Sequence, residues 1–267
     1  MYKILFIFFL LLFSQLSYSA IEREGKYYGY FGWNNSTYKT SDIHFKGNGY
    51  NFTIHDVKAQ DNQVPVTFEK VSSRYLNPAN LTIPQYNYRF GYFFTNNFAV
   101  SLGWDHMKYV MNQDQTVRIT GVIENSVSTD HSFSGTQNKK LTSDFLSYEH
   151  TDGFNTITIE GEYYYSILSP SKGFDISILT GFGAGVVIPK SNVQLLGKKR
   201  NDEWHLAGVA ATVKVGVELT AWENFFFRAM IKQGYANMYD VLTTSTGGKA
   251  TQEIVYSEYY GVFGYRF

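Results

Sequence analysis

Apolar and polar residues alternate along eight segments of this chain, as they do in β-strands with one apolar and one polar face. In the segment from Gln85 to Thr95, for example, alternate aromatic residues oppose Asn87, Arg89 and Gly91. The eight segments run over residues 26–45, 85–95, from 98 onward, 155–168, 174–188, 209–219, 225–235 and 255–267. The pattern therefore predicts an all-β protein of eight strands.

The connections between these segments fall into two classes of length. Three are short, at 96–97, 169–173 and 221–224, and they alternate with longer ones at 46–84, 106–154, 189–205 and 242–252. Short turns at one end and long loops at the other are typical of transmembrane β-barrels, in which the long loops are extracellular. We therefore expect an eight-stranded antiparallel up-and-down transmembrane β-barrel with short periplasmic turns and long extracellular loops. Because the number of strands is even, both ends of the chain should lie on the periplasmic side.

The last predicted strand alternates apolar and polar residues and places three aromatic residues on its apolar face, at Phe263, Tyr265 and Phe267. This strand resembles the C-terminal signal that the assembly machinery of the bacterial outer membrane recognises in β-barrels. The resemblance implies that these three residues serve as a membrane-assembly signal, that the assembly machinery is a partner during biogenesis, and that the protein resides in the outer membrane of a Gram-negative bacterium.

The first residues have the organisation of a secretory signal peptide. Lys3 precedes an apolar run from Ile4 to Phe13, and small and polar residues follow up to Ala20. Such a segment is too short to span a bilayer as a helix. We expect residues 1–19 to be removed and residues 20–267 to form the barrel; an uncleaved membrane anchor is the alternative.

The amino-acid composition narrows the range of functions and locations that the protein can have. The chain has 23 basic and 23 acidic residues, and this balance argues against nucleic-acid binding. It has no cysteine, so neither disulfides nor thiol chemistry are available. Its 22 Tyr, 22 Phe and 4 Trp residues exceed what a soluble core needs, and aromatic girdles at two membrane interfaces explain this surplus.

The polar faces of the strands carry charges of both signs. Since an eight-stranded barrel is just wide enough to be filled by side chains, these groups must pair inside it, and a porin is disfavoured. The residues expected in this interior are Arg89, Glu160, Glu162, Asp175, Lys214, Glu218, Arg228, Lys232, Glu258 and Arg266.

Histidines next to acidic residues are the candidate chemistry. The topology assigns these groups to the extracellular rim, where imidazole beside carboxylate suits a general acid/base pair or a metal site. The candidate catalytic residues are Asp42, His44, His55, Asp105, His106, Glu149 and His150. Strand parity places Asp42, His44 and Asp105 on the inward face and His106 outward. The alternative interpretation is an ordinary polar rim, and the pattern leaves open whether any metal or other cofactor is bound.

Taken together, the signal peptide, eight strands, three tight turns, four loops and terminal Phe267 resemble the small outer-membrane β-barrels. That group includes adhesins, serum-resistance proteins, structural barrels and enzymes that modify lipid A. The segments 41–44, 52–57 and 149–155 are similar to those of barrels that oxidise lipid A. This similarity implies chemistry on the glucosamine backbone of lipid A at the outer leaflet, with a metal as one option. No His-x-Ser arrangement of the kind a lipid A deacylase would use is present on a strand face.

The long loops support a different function. Gly47-Asn48-Gly49 predicts a hairpin turn, and residues 50–57 and 116–123 alternate well enough to form β-ribbons above the membrane. Such ribbons bind partners through strand edges or exposed aromatics. Two functions are therefore open: a non-porin surface protein, structural or binding through its loops, and a lipid A-modifying enzyme. The expected partners are outer-membrane lipid, lipopolysaccharide and an extracellular ligand of the loops.

Overall fold

A computed structural model describes residues 21–77, 79–80, 84–198 and 201–267, and for 201–203 it describes the backbone only. The predicted signal peptide lies outside these residues. None of the helices in this part of the chain is long and apolar enough to cross a membrane.

The described residues form one antiparallel sheet of fifteen strands. The strands are β1 (Tyr27–Tyr38), β2 (Ser41–Gly47), β3 (Tyr50–Val57), β4 (Ala59–Gln60), β5 (Tyr86–Phe93), β6 (Phe98–Met111), β7 (Thr116–Ile123), β8 (Phe133–Lys140), β9 (Leu146–Ser171), β10 (Phe174–Val187), β11 (Lys190–Leu195), β12 (Asn201–Trp204), β13 (Gly208–Ala221), β14 (Phe225–Leu242) and β15 (Lys249–Arg266). A short helical segment, Phe68–Lys70 continued by a π-helical turn at Val71–Tyr75, lies between β4 and β5.

Eight of these strands close into a ring. Their order is β1, β5, β6, β9, β10, β13, β14 and β15, and β15 pairs with β1 from Tyr28–Arg266 up to Tyr38–Tyr256. Phe267 completes the closure, since Tyr27 and Phe267 exchange two backbone hydrogen bonds of 2.9 and 3.0 Å. Neighbours in the ring are neighbours in chain order apart from the inserted strands, so the predicted eight-stranded antiparallel up-and-down barrel is confirmed.

The wall of this ring is apolar outside and charged inside. Outward side chains such as Phe182 and Val213 are 70% and 58% exposed, whereas the inward Glu160 and Arg228 are fully buried. An exposed apolar band around a polar interior is the pattern of strands that face lipid. Phe263, Tyr265 and Phe267, the residues of the expected assembly signal, are all exposed on this outer face.

The charged interior is electrically balanced. Glu160, for example, pairs with three cations, at 2.8 Å from Arg89, 2.5 Å from Lys214 and 3.0 Å from Lys232. The buried set consists of six cations, Arg23, Arg89, Lys214, Arg228, Lys232 and Arg266, and six anions, Asp105, Glu160, Glu162, Asp175, Glu218 and Glu258. The predicted interior residues are all among them, which confirms the interior ion-pair network.

Arg23 is a member of this network that strand patterning missed. It precedes β1, enters the ring from the end with the tight turns, and its Nη2 donates to Asp175 at 2.7 Å and to Ser177 at 2.8 Å. Its backbone N–H also donates to the Asn96 side chain in the β5–β6 turn. The segment before β1 therefore closes this end of the ring.

At the other end, the sheet continues beyond the ring. The upper residues of β15, Lys249–Gln252, leave β1 and pair with β2, which is followed in order by β3, β7 and β8. We call these four strands the upper sheet. The predicted β-ribbons at 50–57 and 116–123 are confirmed as β3 and β7, and Gly49, with a φ of 75°, forms the predicted hairpin turn between β2 and β3.

The inward face of the upper sheet is apolar. Its side chains pack with those from the upper ends of the ring strands into one water-excluding cluster, which we call the upper core. Its fully buried members include Ile43, Phe45, Ile54, Met107, Tyr109, Ile119, Leu146, Phe154, Leu195 and Ile254. The rings of Phe45 and Phe52 stack at 5.2 Å within it.

The first predicted strand, 26–45, was therefore wrong in one respect. The chain breaks at residues 39–40, and β2 begins a new element that pairs with β15 and β3. Because Ile43 and Phe45 point into the upper core, Asp42 and His44 point outward, opposite to the direction expected from parity.

Candidate functional site

Asp42 and His55 meet on the outer face of the upper sheet. His55 Nδ1 lies 2.7 Å from Asp42 Oδ2, and His55 Nε2 lies 2.8 Å from the hydroxyl of Thr120 on β7. Three adjacent strands, β2, β3 and β7, thus each contribute one residue to a continuous chain of hydrogen bonds, which we call the Asp–His–Thr relay.

A local irregularity of β3 holds Asp42 in place. The pairing of β2 with β3 shifts register between Ser41 and Ile43, and Asp56 has a φ of 54° at that point. This conformation directs the backbone N–H of Asp56 onto Asp42 Oδ1 at 2.9 Å. Partial burial works to raise the pKa of Asp42, but the hydrogen bonds from Asp56 and His55 outweigh it, so the pKa of this carboxyl is lowered.

His44 lies on the same outer face but has a different partner. Its Nε2 is 2.7 Å from the side-chain oxygen of Asn51 across the hairpin. His44 and Asp42 also line one side of a groove of about 440 Å³, whose other side includes Tyr235 and Glu253 on β14 and β15.

Asp105 and His106 point to opposite sides of the wall, as parity predicted. Asp105 belongs to the interior network, where its Oδ2 accepts from Lys232 at 2.5 Å. His106 stacks on Tyr86 with ring centroids 4.7 Å apart, and its Nδ1 is 2.7 Å from the Asn155 side chain. Neither Asp105 nor His106 contacts Asp42, His55 or Thr120.

The side chains of His150 and Glu149 also point in opposite directions. His150 is fully buried between Tyr148 and Phe154, and its Nδ1 is 2.9 Å from the Ser191 hydroxyl. Burial in this apolar setting lowers the pKa of His150 to about 3. Glu149 points the other way, to Thr151 and Asn192. His150 is therefore a neutral core residue.

The structure thus brings together only one His–carboxylate pair from the seven candidate residues, Asp42 with His55. Within the described ranges, no group of three or more His, Cys, Asp or Glu side chains is arranged to hold a metal ion. Thr120 was missed from the sequence because it is 65 positions from His55, and only the order β2, β3, β7 in the sheet makes the two residues neighbours.

The ring interior offers no comparable site, because its side chains fill it. Arg228 packs between aromatic rings, 4.7 Å from the ring centre of Tyr28 and 4.4 Å from that of Phe226. None of the twelve buried charged side chains is more than 6% exposed. Above them, the upper core continues the filled interior.

Comparison with known proteins identifies no family. No protein-family model matches the chain, and no curated protein matches its sequence. Among solved structures, the chain is similar to the outer membrane protein OprG from Pseudomonas aeruginosa, at 12% identity and a TM-score of 0.45, covering 92% of this chain and 97% of that one. It is similar to the outer membrane protein AlkL, at 12% identity and a TM-score of 0.43, covering 94% of each chain. Neisserial surface protein A matches at 11% identity and a TM-score of 0.40, covering 91% of this chain and 98% of that one. The first two of these neighbours are outer membrane proteins.

Proposed function

We propose that this protein is a non-porin surface protein of the outer membrane, working through the outer face of its upper sheet. The observation that carries this proposal is the filled interior. Six cations and six anions are paired inside the ring, and the upper core covers them from above. An open aqueous channel would expose these charged groups to water, and they are buried instead.

The upper sheet is the surface available for binding. Its β2, β3 and β7 strands present mostly polar outer faces, and among the described residues β8 is an edge strand that pairs with β7 alone. Within β8, the six successive residues from Ser134 to Lys139 carry no apolar side chain. A polar, solvated edge suits a surface that meets extracellular ligands or lipopolysaccharide sugars.

Reconstitution into planar lipid bilayers tests the non-porin assignment. We expect no stepwise conductance from the folded protein at voltages at which a general porin, inserted in parallel, opens. Protein recovered from the same bilayers that still shows the heat-dependent mobility shift of a folded barrel on gels provides the control for insertion. Regular ohmic steps from the unaltered protein would refute the proposal.

A lipid A-modifying enzyme is the second candidate, and the Asp42–His55 pair is the observation that favours it. We expect, on this candidate, a discrete mass difference between lipid A from matched cells with and without the protein. The difference should vanish for His55→Ala and persist for His131→Ala, a histidine elsewhere on the surface paired with Asp144. An unchanged lipid A mass spectrum in oxygenated, metal-replete medium would remove this candidate and leave the non-porin proposal untouched.

A further inference from the structure

We propose that the Asp–His–Thr relay is an acyl-transfer site, in which Thr120 is the nucleophile, His55 the general base and Asp42 the residue that orients the base. The substrate class is a carboxylic ester presented to the outer face of the upper sheet.

The geometry of the relay assigns the protons. Asp42 Oδ1 already accepts the backbone N–H of Asp56, and its Oδ2 lies 2.7 Å from His55 Nδ1. A carboxylate can only accept, so Nδ1 carries the proton of the neutral ring and Nε2 is left with its lone pair. The Thr120 hydroxyl, at 2.8 Å, therefore donates to Nε2. This is the arrangement by which a hydroxyl nucleophile is activated: hydroxyl to base, base to an orienting carboxylate.

The backbone around Thr120 fixes the position of its hydroxyl. Gly121, the next residue, has a φ of 119°, and a Cβ there would stand 2.3 Å from the carbonyl oxygen of Asn51. Only glycine allows β7 to approach β3 this closely, and the pairing sets Thr120 opposite Thr53, beside His55. The relay thus rests on two backbone positions of positive φ, at Asp56 and Gly121.

The relay is accessible from outside. The Asp42 side chain is 55% exposed and that of His55 is 15% exposed, so the carboxylate is open to solvent and the imidazole is mostly covered but still reaches the surface. Asp42 also belongs to the wall of the groove that descends to Tyr235, on the lipid-facing side of β14. The groove thus reaches the Asp42 end of the relay, and an ester would have to extend from there across His55 on β3 to Thr120 on β7.

The reaction balances without any other reagent. As the Thr120 Oγ1–carbonyl carbon bond forms, the hydroxyl proton moves to His55 Nε2. His55 then gives that proton to the leaving alkoxide as the ester C–O bond breaks, which leaves an acyl-threonine. A water molecule then attacks the acyl carbon while His55 Nε2 takes its proton. The bond between Thr120 Oγ1 and the acyl carbon breaks, His55 returns the proton to Oγ1, and the carboxylic acid leaves.

The test uses the full folded chain in detergent micelles with p-nitrophenyl butyrate as the probe. We expect a burst of p-nitrophenolate close to one equivalent and a butyryl mass increase that peptide mass spectrometry locates on Thr120. The rate should rise with pH through the titration of a single base. Thr120→Val and His55→Gln should each lower the burst rate at least about 10²-fold, the usual size of a lost acid/base contribution, while Thr120→Ser should retain it.

The matched control is His205→Gln. His205 Nε2 lies 2.8 Å from Asp240 Oδ2, so it is also a surface His–carboxylate pair, but Lys249 holds the other oxygen of Asp240. This variant should react like the unaltered protein. Butyrylation confined to lysines or to other hydroxyls, an unchanged rate in Thr120→Val, or the absence of any burst would each overturn the proposal. Retained activity in Thr120→Ser separates loss of the nucleophile from loss of the fold.

The inference requires that the upper sheet faces the medium, as in the proposed surface function, but not that the substrate is lipid A. Failure of the synthetic ester assay would remove the acyl-transfer site alone, whereas conductance steps in bilayers would remove the non-porin function alone.

Discussion

The ring and the upper sheet belong to one continuous antiparallel sheet, but their inner and outer faces have opposite polarity. In the ring, Val215 faces outward at 49% exposure while the neighbouring Lys214 points inward. In the upper sheet, Ile54 points inward and is fully buried, while its neighbour Thr53 points outward. The ring is stabilised by paired charges inside and lipid outside, and the upper sheet by an apolar core inside and water outside. The level at which polarity reverses along one continuous sheet therefore marks the membrane surface.

The largest effect is expected from breaking the ion-pair network of the ring. Glu160→Gln removes the charge that three buried cations share, and leaving buried charge unpaired typically costs about 3–5 kcal/mol. Urea unfolding in micelles, followed by the heat-dependent mobility shift of barrels on gels, measures this loss. Lys172→Met is the control, because the ion pair of Lys172 with Glu223 is exposed to solvent, and the change should alter stability by less than about 0.5 kcal/mol.

A comparable but local effect is expected in the upper core. Ile54→Ala opens a cavity among Ile43, Ile119 and their neighbours, which usually costs about 2–5 kcal/mol. Since the ring is held together by different interactions, we expect amide exchange to accelerate in β2, β3 and β7 and to stay slow in β10 and β13. Equal acceleration in both regions would show that ring and upper sheet unfold as one unit.

Reversing the polarity of a single outward position sharpens the comparison. Val215→Lys puts an ammonium group on the lipid face near the middle of β13, where a charge costs about 2–4 kcal/mol. Thr136→Lys places the same group on the exposed outer face of β8 and should be nearly neutral. Unfolding in lipid bilayers measures both values, and equal costs would contradict the assignment of the two outer faces.

The smallest effect concerns pH. The pKa of His150 is about 3 in the upper core and near 6.5 in the unfolded chain, so the unfolded state binds the proton first as pH falls. The contribution of His150 to stability is therefore present above about pH 6.5 and is lost as pH falls toward 3; at pH 5 the loss is about 2 kcal/mol.

Proteolysis of the upper sheet at pH 7 and pH 5 measures this dependence. His150→Phe, which fits among Tyr109, Tyr148 and Phe154, should respond less to pH than the unaltered protein. Identical pH responses would show that His150 does not control the stability of the upper core.

The ring was predictable because lipid imposes a period of two on every strand and tight turns separate them. β5, β6, β10, β13 and β14 begin within a residue of their predicted starts. The upper sheet was predictable as β-ribbon, at Tyr50–Val57 and Thr116–Ile123, but not in its pairing or direction. Alternation cannot distinguish a strand whose apolar face meets lipid from one whose apolar face meets a core, and so Asp42 and His44 were assigned inward.

The candidate site was predictable only in part. Asp42 and His55 were found because acids and histidines cluster in sequence. Thr120 carries no such signal, and Asp105 and His150 were included as rim residues although the first belongs to the ion-pair network and the second to the upper core. Arg23 was missed because it precedes the first strand, where no alternation of apolar and polar residues indicates the direction of a side chain.

Cysteine accessibility in intact cells tests the polarity reversal most directly, since the chain contains no cysteine of its own. Single substitutions Thr136→Cys, Ile54→Cys and Val215→Cys would be treated with a membrane-impermeant maleimide. We predict rapid labelling at position 136 and protection at the other two, with position 215 becoming reactive toward a lipid-soluble maleimide while position 54 stays protected. Labelling of position 215 by the impermeant reagent, or protection of position 136, would contradict the account.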